Sequence, residues 1–134
     1  MTDPIELVLP QALRDEIVVH ARADAPHEVC GLIAGRAGAL RLIRCRNAHP
    51  TPVSRYLIDA REQLAAFRDM DARGEELVAI YHSHPVSQPY PSPTDRVEAH
   101  YPDAFYLLVS LRTGTPELHA YRIRDGFVRE ARLA

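Results

Sequence analysis

Two histidines and one aspartate in the second half of the chain have the spacing of ligands for a single metal ion. His82 and His84 are separated by one residue, and Asp95 follows after ten more. Side chains two residues apart on a β-strand point to the same face, about 7 Å apart at ~3.3 Å per residue, so both imidazoles can reach one ion. A carboxylate from a following turn can supply a third ligand and leave the fourth tetrahedral position for water, as in catalytic zinc sites. The pattern predicts a Zn²⁺ site with these three residues as ligands.

The sequence around Asp95 also has the features of a helix start. Ser92 is a favoured N-cap residue, Pro93 suits the first helical position, and an acidic side chain in the first turn faces the positive end of the helix. This interpretation accounts for Ser92 and Asp95 without a metal, but it does not account for the two histidines. The two interpretations are compatible, because an aspartate in the first turn can face an ion while the serine caps the helix. A short helix is predicted from about Pro93 to Tyr101.

A buried strand is predicted to position the two histidines. The apolar run from Glu76 to Tyr81 has the composition of such a strand, so His82 and His84 are expected at its C-terminal end. Prolines at positions 85, 89, 91 and 93 disfavour both strand and helix until Asp95 is reached. The intervening segment is therefore expected to form an ordered loop that folds back over the metal.

The remaining strands and turns are predicted from alternation, composition and turn residues. The predicted strands are Ile5 to Leu9, Val29 to Ala34, Leu40 to Cys45, Tyr56 to Ile58, Phe105 to Leu111, Leu118 to Arg124 and Phe127 to Arg129. The turn-rich segment from Gly35 to Gly38 indicates a hairpin with a longer loop, and Asp125-Gly126 indicates a two-residue hairpin turn.

Two longer helices are predicted from apolar spacing and capping residues. Pro10 opens the first, with His20 at the edge of a buried face that consists of Leu13, Ile17, His20 and Ala21. Asp59, with Glu62 three residues later, is the predicted cap of the second helix, which ends near Gly74. Its inward side chains are expected to be Leu64 and Phe67.

Length and composition fit one compact domain that covers residues 1–134. Of these residues, 46% are hydrophobic, which is enough for a single core. The 16 basic and 18 acidic side chains leave no basic stripe for nucleic acid, and no apolar stretch approaches the roughly 18 residues of a membrane span. We therefore expect a cytoplasmic protein with neither nucleic-acid nor membrane partners. Cys30 and Cys45 are interpreted as buried thiols rather than as a disulfide.

Taken together, the candidate residues form a pattern that resembles a known family. The motif E…H-S-H-P-x6-S-x-x-D is present in full, and it resembles the signature of the JAMM (MPN+) zinc metalloproteases; its residues are Glu28, His82, His84, Ser92 and Asp95. The segments 27–35 and 47–59 are also similar to that family. The resemblance implies an α+β (mixed α/β) JAMM/MPN-like fold, related to that of cytidine deaminases, with a mostly antiparallel curved sheet flanked by helices. It also implies three zinc ligands, a general acid/base at Glu28 and an oxyanion hydrogen-bond donor at Ser92.

Glu28 has a physical basis for the role that the resemblance implies. A carboxylate that contacts the attacking water without ligating the ion can take its proton and pass it to the leaving amine. Burial raises the pKa of such a group and a nearby cation lowers it, and the sequence leaves this balance open. The alternative is a solvated charge at the start of a strand. Cys30, two residues later, could line the site, although a packing role is favoured.

Three classes of function are compatible with the motif. The leading hypothesis is a zinc-dependent peptidase that hydrolyses the amide after the C-terminal glycine of a small ubiquitin-like or sulfur-carrier protein, with cysteine as one candidate leaving group. The alternatives are a non-catalytic MPN-type scaffold, which would usually have lost motif residues, and a DNA-repair-associated relative, which would bring a helical N-terminal extension. The expected partner is a carrier whose chain ends in Gly-Gly.

Overall fold

The computed structural model describes residues 5–134 and has a mixed α/β architecture. Its strands are β1 (Glu6–Leu7), β2 (Cys30–Arg36), β3 (Ala39–Cys45), β4 (Glu76–His84), β5 (Phe105–Ser110), β6 (Glu117–Arg124) and β7 (Phe127–Leu133). Its helices are α1 (Gln11–Asp24), α2 (Ala60–Arg73) and α3 (Pro93–Val97). The strands form one sheet in the order β1-β7-β6-β5-β4-β2-β3. Only the β4–β5 and β1–β7 pairs are parallel among these strands, so the expected mostly antiparallel sheet is confirmed.

The two longer helices cover opposite faces of the sheet. Leu13, Ile17 and Ala21 of α1 pack against one face, in a cluster that includes Tyr81 and Leu107. Ala66 and Met70 of α2 pack against the other face, in a cluster that includes Ile80 and Leu108. Because successive strand residues point to opposite faces, β4 and β5 contribute to both cores; β5 is buried throughout and β4 is buried from Ala79 to His84. This rigid centre is the platform from which His82 and His84 project.

Tyr81 is fixed in the core by a glycine and a histidine. A Cβ atom at Gly31, its cross-strand partner, would lie 2.3 Å from the Tyr81 ring, so only glycine leaves room for the aromatic side chain. The Tyr81 hydroxyl lies 2.8 Å from Nδ1 of His20. His20 is buried inside the core and not, as the sequence predicts, at its edge. The hydrogen bond to Tyr81 satisfies the polar ring there.

The predicted turns and caps are largely confirmed. Asp59 accepts hydrogen bonds from the backbone N–H groups of Arg61 and Glu62 at the start of α2, and Gly74 ends that helix with a positive φ of 67°. Asp125 and Gly126 both have positive φ, as a two-residue hairpin turn requires. The β2–β3 hairpin has a shorter loop than expected, because Gly35 and Arg36 remain in the ladder and only Ala37-Gly38 turns.

Other sequence predictions are wrong in extent or orientation. The last strand, predicted from Phe127 to Arg129, continues to Leu133. The segment from Tyr56 to Ile58 forms only an isolated bridge between Ile58 and Asn47, and β1 is limited to Glu6–Leu7. Leu64 is 51% exposed, because the face of α2 that meets the sheet runs through Ala66 and Met70. The helix from Pro93 ends at Val97 rather than Tyr101, since it buries no side chain that would stabilise further turns.

Cys30 and Cys45 are both free and buried, as expected from the sequence. They lie opposite each other in the β2–β3 ladder. No helix formed by residues 5–134 has both the length and the apolar character needed to cross a membrane.

Candidate metal centre

Three side-chain atoms from two elements converge at the end of β4. His82 and His84 lie among the last three residues of β4 and point to the same face of the strand. Asp95 lies in the first turn of α3. The Nε2 atoms of the two histidines are 3.2 Å apart, and Oδ2 of Asp95 lies 3.1 Å from each. The structure thus brings together the three ligands that the spacing predicts.

The dimensions of this triangle fit one small ion. A tetrahedral zinc with ligand distances of about 2.0–2.1 Å separates its ligand atoms by about 3.3–3.4 Å. The three observed separations are close to that edge length, and these three residues form a group that could hold a metal ion. Two imidazole nitrogens with one carboxylate oxygen are a donor set that suits zinc.

The second ring nitrogens show how the two imidazoles are oriented. Nδ1 of His84 donates to the carbonyl oxygen of Gln88 at 2.8 Å, which leaves Nε2 with a free lone pair for an ion. Nδ1 of His82 is buried without a hydrogen-bond partner among residues 5–134. The His82 ring is instead held by Tyr56, whose ring stacks on it with centroids 4.3 Å apart and planes 23° apart.

Asp95 is fixed by the helix cap that the sequence predicts. The Ser92 hydroxyl accepts from the Asp95 backbone N–H at 3.0 Å, and Oδ2 of Asp95 accepts from the Ser92 N–H at 2.9 Å. The capping and metal-binding interpretations are therefore compatible, because the same carboxylate oxygen faces both histidines. Burial acts to raise the pKa of Asp95, but its close contacts with the His82 and His84 rings outweigh burial and hold that pKa well below its usual range.

Glu28 lies beside the three ligand residues because of the β2–β4 register. Cys30 of β2 pairs with His82 of β4 in this antiparallel ladder. Two residues before Cys30 therefore correspond to two residues after His82, which places Glu28 next to His84. Ser83 extends the pairing, since its hydroxyl accepts from the Val29 N–H at 2.8 Å and its own N–H donates to the Val29 carbonyl.

The Glu28 carboxylate is buried, which rules out the solvated charge considered above. Glu28 is only 7% exposed, and its Oε1 atom has no hydrogen-bond partner within residues 5–134. Burial raises the pKa of Glu28 to about 7; His84 opposes this shift and Asp95 adds to it. A carboxyl group with this pKa can both accept and release a proton near neutral pH.

Cys30 is fully buried and faces away from solvent. Burial raises the pKa of its thiol to about 12, so it remains protonated at neutral pH. Its environment is that of a packed core residue, in agreement with the favoured interpretation.

Sequence reasoning did not identify three residues that shape this centre: Tyr56, Ser83 and Gln88. The position of Ser83 between two histidines does indicate a side chain on the opposite face of the strand, and its hydroxyl bonds to Val29, the residue before β2. The contacts of Tyr56 and Gln88 depend on how loops fold back over the sheet, and no local pattern signals them.

A cleft of about 420 Å³ adjoins the metal centre. Tyr56 forms part of its lining together with Gln63 of α2, Tyr101 and Tyr106. Because Tyr56 also stacks on His82, its ring is a wall shared by the cleft and the ligand cluster. A separate depression of about 500 Å³ lies along β6 and β7, and neither cavity is lined by His82, His84 or Asp95.

Comparison with known proteins identifies the family. Residues 10–124 match the model of prokaryotic homologues of the JAB domain. The chain is 44% identical over 128 residues to the CysO-cysteine peptidase of Mycobacterium tuberculosis, covering 92% of this chain and 87% of that protein. It is 36% identical over 120 residues to a probable TtuB-protein conjugate cleaving protease of Thermus thermophilus, covering 90% and 78%. A desampylase of Haloferax volcanii is 38% identical over 114 residues, covering 78% and 80%.

Solved structures agree with this assignment. A protein from Desulfitobacterium hafniense, solved in solution, has a TM-score of 0.81 at 29% identity and covers 97% of this chain and 92% of its own. A JAB1/MPN domain protein from Archaeoglobus fulgidus has a TM-score of 0.62 at 16% identity over 99% of this chain and 100% of its own, which confirms the expected fold. The chain belongs to the family of prokaryotic homologues of the JAB domain.

Proposed function

We propose that this protein is a zinc-dependent peptidase of the isopeptidase type. Its substrate would be the amide bond that follows the C-terminal glycine of a small ubiquitin-like or sulfur-carrier protein. The observation that carries the proposal is the convergence of His82, His84 and Asp95, with ligand atoms 3.1–3.2 Å apart, beside the buried carboxylate of Glu28. A non-catalytic scaffold has no need for this combination.

His82, His84 and Asp95 would hold the zinc. Zinc at this position would act as a Lewis acid on the scissile carbonyl and make a water acidic enough to ionise near neutral pH. The buried setting, in which the two histidines are 1% and 4% exposed, strengthens the electrostatic interactions there by excluding solvent.

Glu28 would transfer the proton. One oxygen of its carboxylate has no competing hydrogen bond among the described residues, so it is available to accept a proton from the attacking water. The same proton then passes to the nitrogen of the leaving amine as the carbon–nitrogen bond breaks. One water is added across the bond, so the products are a carrier with a free C-terminal carboxylate and a free amine.

Ser92 would stabilise the oxyanion. Its hydroxyl oxygen accepts from the Asp95 N–H, which leaves the O–H hydrogen free to donate toward the substrate. Donors aimed at the developing charge contribute on the order of 10²-fold or more to turnover.

Ser92→Ala separates this role from helix capping. We expect the variant to retain zinc, to lose about 1 kcal/mol of stability with the cap, and to lose on the order of 10²-fold in turnover. Zinc content, thermal unfolding and steady-state kinetics measure the three effects. Nearly intact turnover with the same loss of stability would restrict Ser92 to capping.

The relatives and the size of the loops support the proposed substrate class. The relatives are named as a CysO-cysteine peptidase, a probable TtuB-protein conjugate cleaving protease and a desampylase. The loop from Pro85 to Pro91 is short, so it offers little surface for gripping a second folded protein. A flexible Gly-Gly tail can enter a confined site because neither residue has a side chain, whereas a bond inside a folded domain cannot reach it without unfolding.

The test compares three substrates: a carrier conjugate that ends in Gly-Gly before the scissile amide, the same conjugate with both glycines replaced by leucine, and casein. We expect the first to be cleaved, the second to be resistant and casein to remain largely intact. Rapid digestion of casein, or equal cleavage of both conjugates, would favour a general metallopeptidase instead.

The free thiols of Cys30 and Cys45 support a reducing compartment, and we propose the cytoplasm.

A further inference from the structure

The carboxamide of Asn47 makes four hydrogen bonds at the edge of the metal centre. Its Nδ2 donates to the carbonyl oxygens of Glu28 and Arg55, each at 2.9 Å. Its Oδ1 accepts from the N–H groups of His49 and Leu57, each at 3.0 Å. Two carbonyls on one side and two N–H groups on the other fix the orientation of the amide, and its full hydrogen-bonding capacity is used.

The backbone of Glu28 depends on this segment for its position. The β2–β4 ladder begins at Cys30, so Glu28 lies outside the regular pairing. Its N–H donates to the carbonyl of Pro52 at 2.7 Å, and its carbonyl accepts from Asn47. The ladder sets where the chain leaves the sheet, but both of these backbone hydrogen bonds of the proposed base are made with the segment 47–52.

The same amide holds the loop that carries Tyr56. Arg55 and Leu57, the two neighbours of Tyr56, each bond to the Asn47 side chain through a backbone group. The Tyr56 ring between them stacks on His82. Asn47 thus connects the backbone of Glu28 with an aromatic ring that contacts a proposed zinc ligand.

We propose that Asn47 is a positioning residue, whose carboxamide sets the placement of the Glu28 carboxylate relative to the metal centre. It acts through the Glu28 carbonyl and through the loop 48–57, and it touches neither substrate nor ion. The inference rests on the proposed function, since it assigns Asn47 to the same reaction.

Asn47→Asp is the most informative substitution, because it keeps the shape of the side chain while it replaces the two N–H donors with a charged acceptor oxygen. The aspartate can still accept from His49 and Leu57, but it places a carboxylate against the carbonyl oxygens of Glu28 and Arg55. Misplacement of a catalytic group by about 1 Å can cost on the order of 10²-fold in rate. We expect unchanged zinc content and a fall in kcat of roughly 10- to 100-fold with little change in KM.

A double substitution distinguishes positioning from general loss of structure. If Asn47 acts through Glu28, Asn47→Asp should lower turnover much less in a Glu28→Gln background than in the wild type, because the group that it positions no longer takes part. Equal fold-losses in both backgrounds would overturn the proposal, as would loss of zinc from Asn47→Asp. Ile17→Val, a buried change on the opposite face of the sheet, is the control for a modest loss of stability.

Hydrogen exchange gives a readout that needs no substrate. In Asn47→Ala, the amides of Glu28, His49 and Leu57 should exchange faster than in the wild type, while those of β5 should match the Ile17→Val control. Unchanged protection at these three amides would contradict the proposed hold. A wild-type protein that cleaves no carrier conjugate would count against the proposed function alone, and the exchange experiment would still decide whether Asn47 fixes this segment.

Discussion

Glu28→Gln is expected to retain about one zinc per chain and to lose at least ~10²-fold in turnover. The glutamine amide has nearly the same shape as the carboxylate and can occupy the same buried position, so the fold and the three ligand residues should be preserved. It cannot accept the proton of the attacking water, however, and this step is the one assigned to Glu28. The measurement pairs metal analysis with steady-state cleavage of a carrier conjugate.

Glu76→Gln provides a matched control for this experiment. Glu76 is exposed at the opposite end of β4, so the same chemical change there should leave turnover at the wild-type level. Wild-type turnover in Glu28→Gln would require a different base. Loss of zinc from Glu28→Gln would instead make Glu28 part of the ion's coordination.

The second large effect is expected from the proposed ligands. His82→Ala, His84→Ala and Asp95→Ala should each lose most of the bound zinc and fall to the turnover of chelator-treated wild type. Each change removes one of three donor atoms, and two remaining donors hold an ion much more weakly. Zinc should also raise the thermal midpoint of the wild type but not of these variants, because an ion that binds only the folded state stabilises it.

His119→Ala is the control for the histidine substitutions. His119 lies on β6, where its ring contacts Glu130 and is 40% exposed, and it belongs to no group of ligand-like atoms within residues 5–134. We expect this variant to bind zinc and to turn over like the wild type. Metal analysis that finds the same zinc content in the wild type and in all three ligand variants would refute the assignment of the centre.

Local patterns predicted the parts of the site that lie close together in the chain. The two-residue period of a strand was sufficient to place His82 and His84 on one face, and the cap signals at Ser92 were sufficient to begin α3 and present Asp95. Glu28 was different. Its place beside His84 follows from the β2–β4 register, a long-range pairing that spacing does not reveal, and only the family resemblance indicated it.

The wrong predictions share a physical cause, which is that tertiary packing decided the outcome. Leucine suits a core as well as alanine does, but the buried face of α2 runs through Ala66 and Met70 and leaves Leu64 exposed. Tyr56 has strand-like neighbours, yet hydrogen bonds between the Asn47 side chain and the backbone of Arg55 and Leu57 hold it in a loop against His82. The side chain of Asn47 forms contacts with four backbone groups, and none of these is evident from its sequence position.

The chain contains no lysine, since all 16 of its basic side chains are arginines. A carrier linked through a lysine side chain therefore cannot be attached to any of these 134 residues. Products released in an assay with a lysine-linked conjugate must come from the added substrate, which simplifies their assignment.

The central claim is best tested by intact-mass analysis of a Gly-Gly carrier conjugate after incubation with the zinc-loaded protein in ¹⁸O-labelled water. The account predicts two products: the carrier ending in Gly-Gly with one ¹⁸O in its new carboxylate, and the free amine. Both should disappear with a strong chelator and return when zinc is restored. Cleavage at any other bond, or the same products at the same rate in the presence of the chelator, would contradict it.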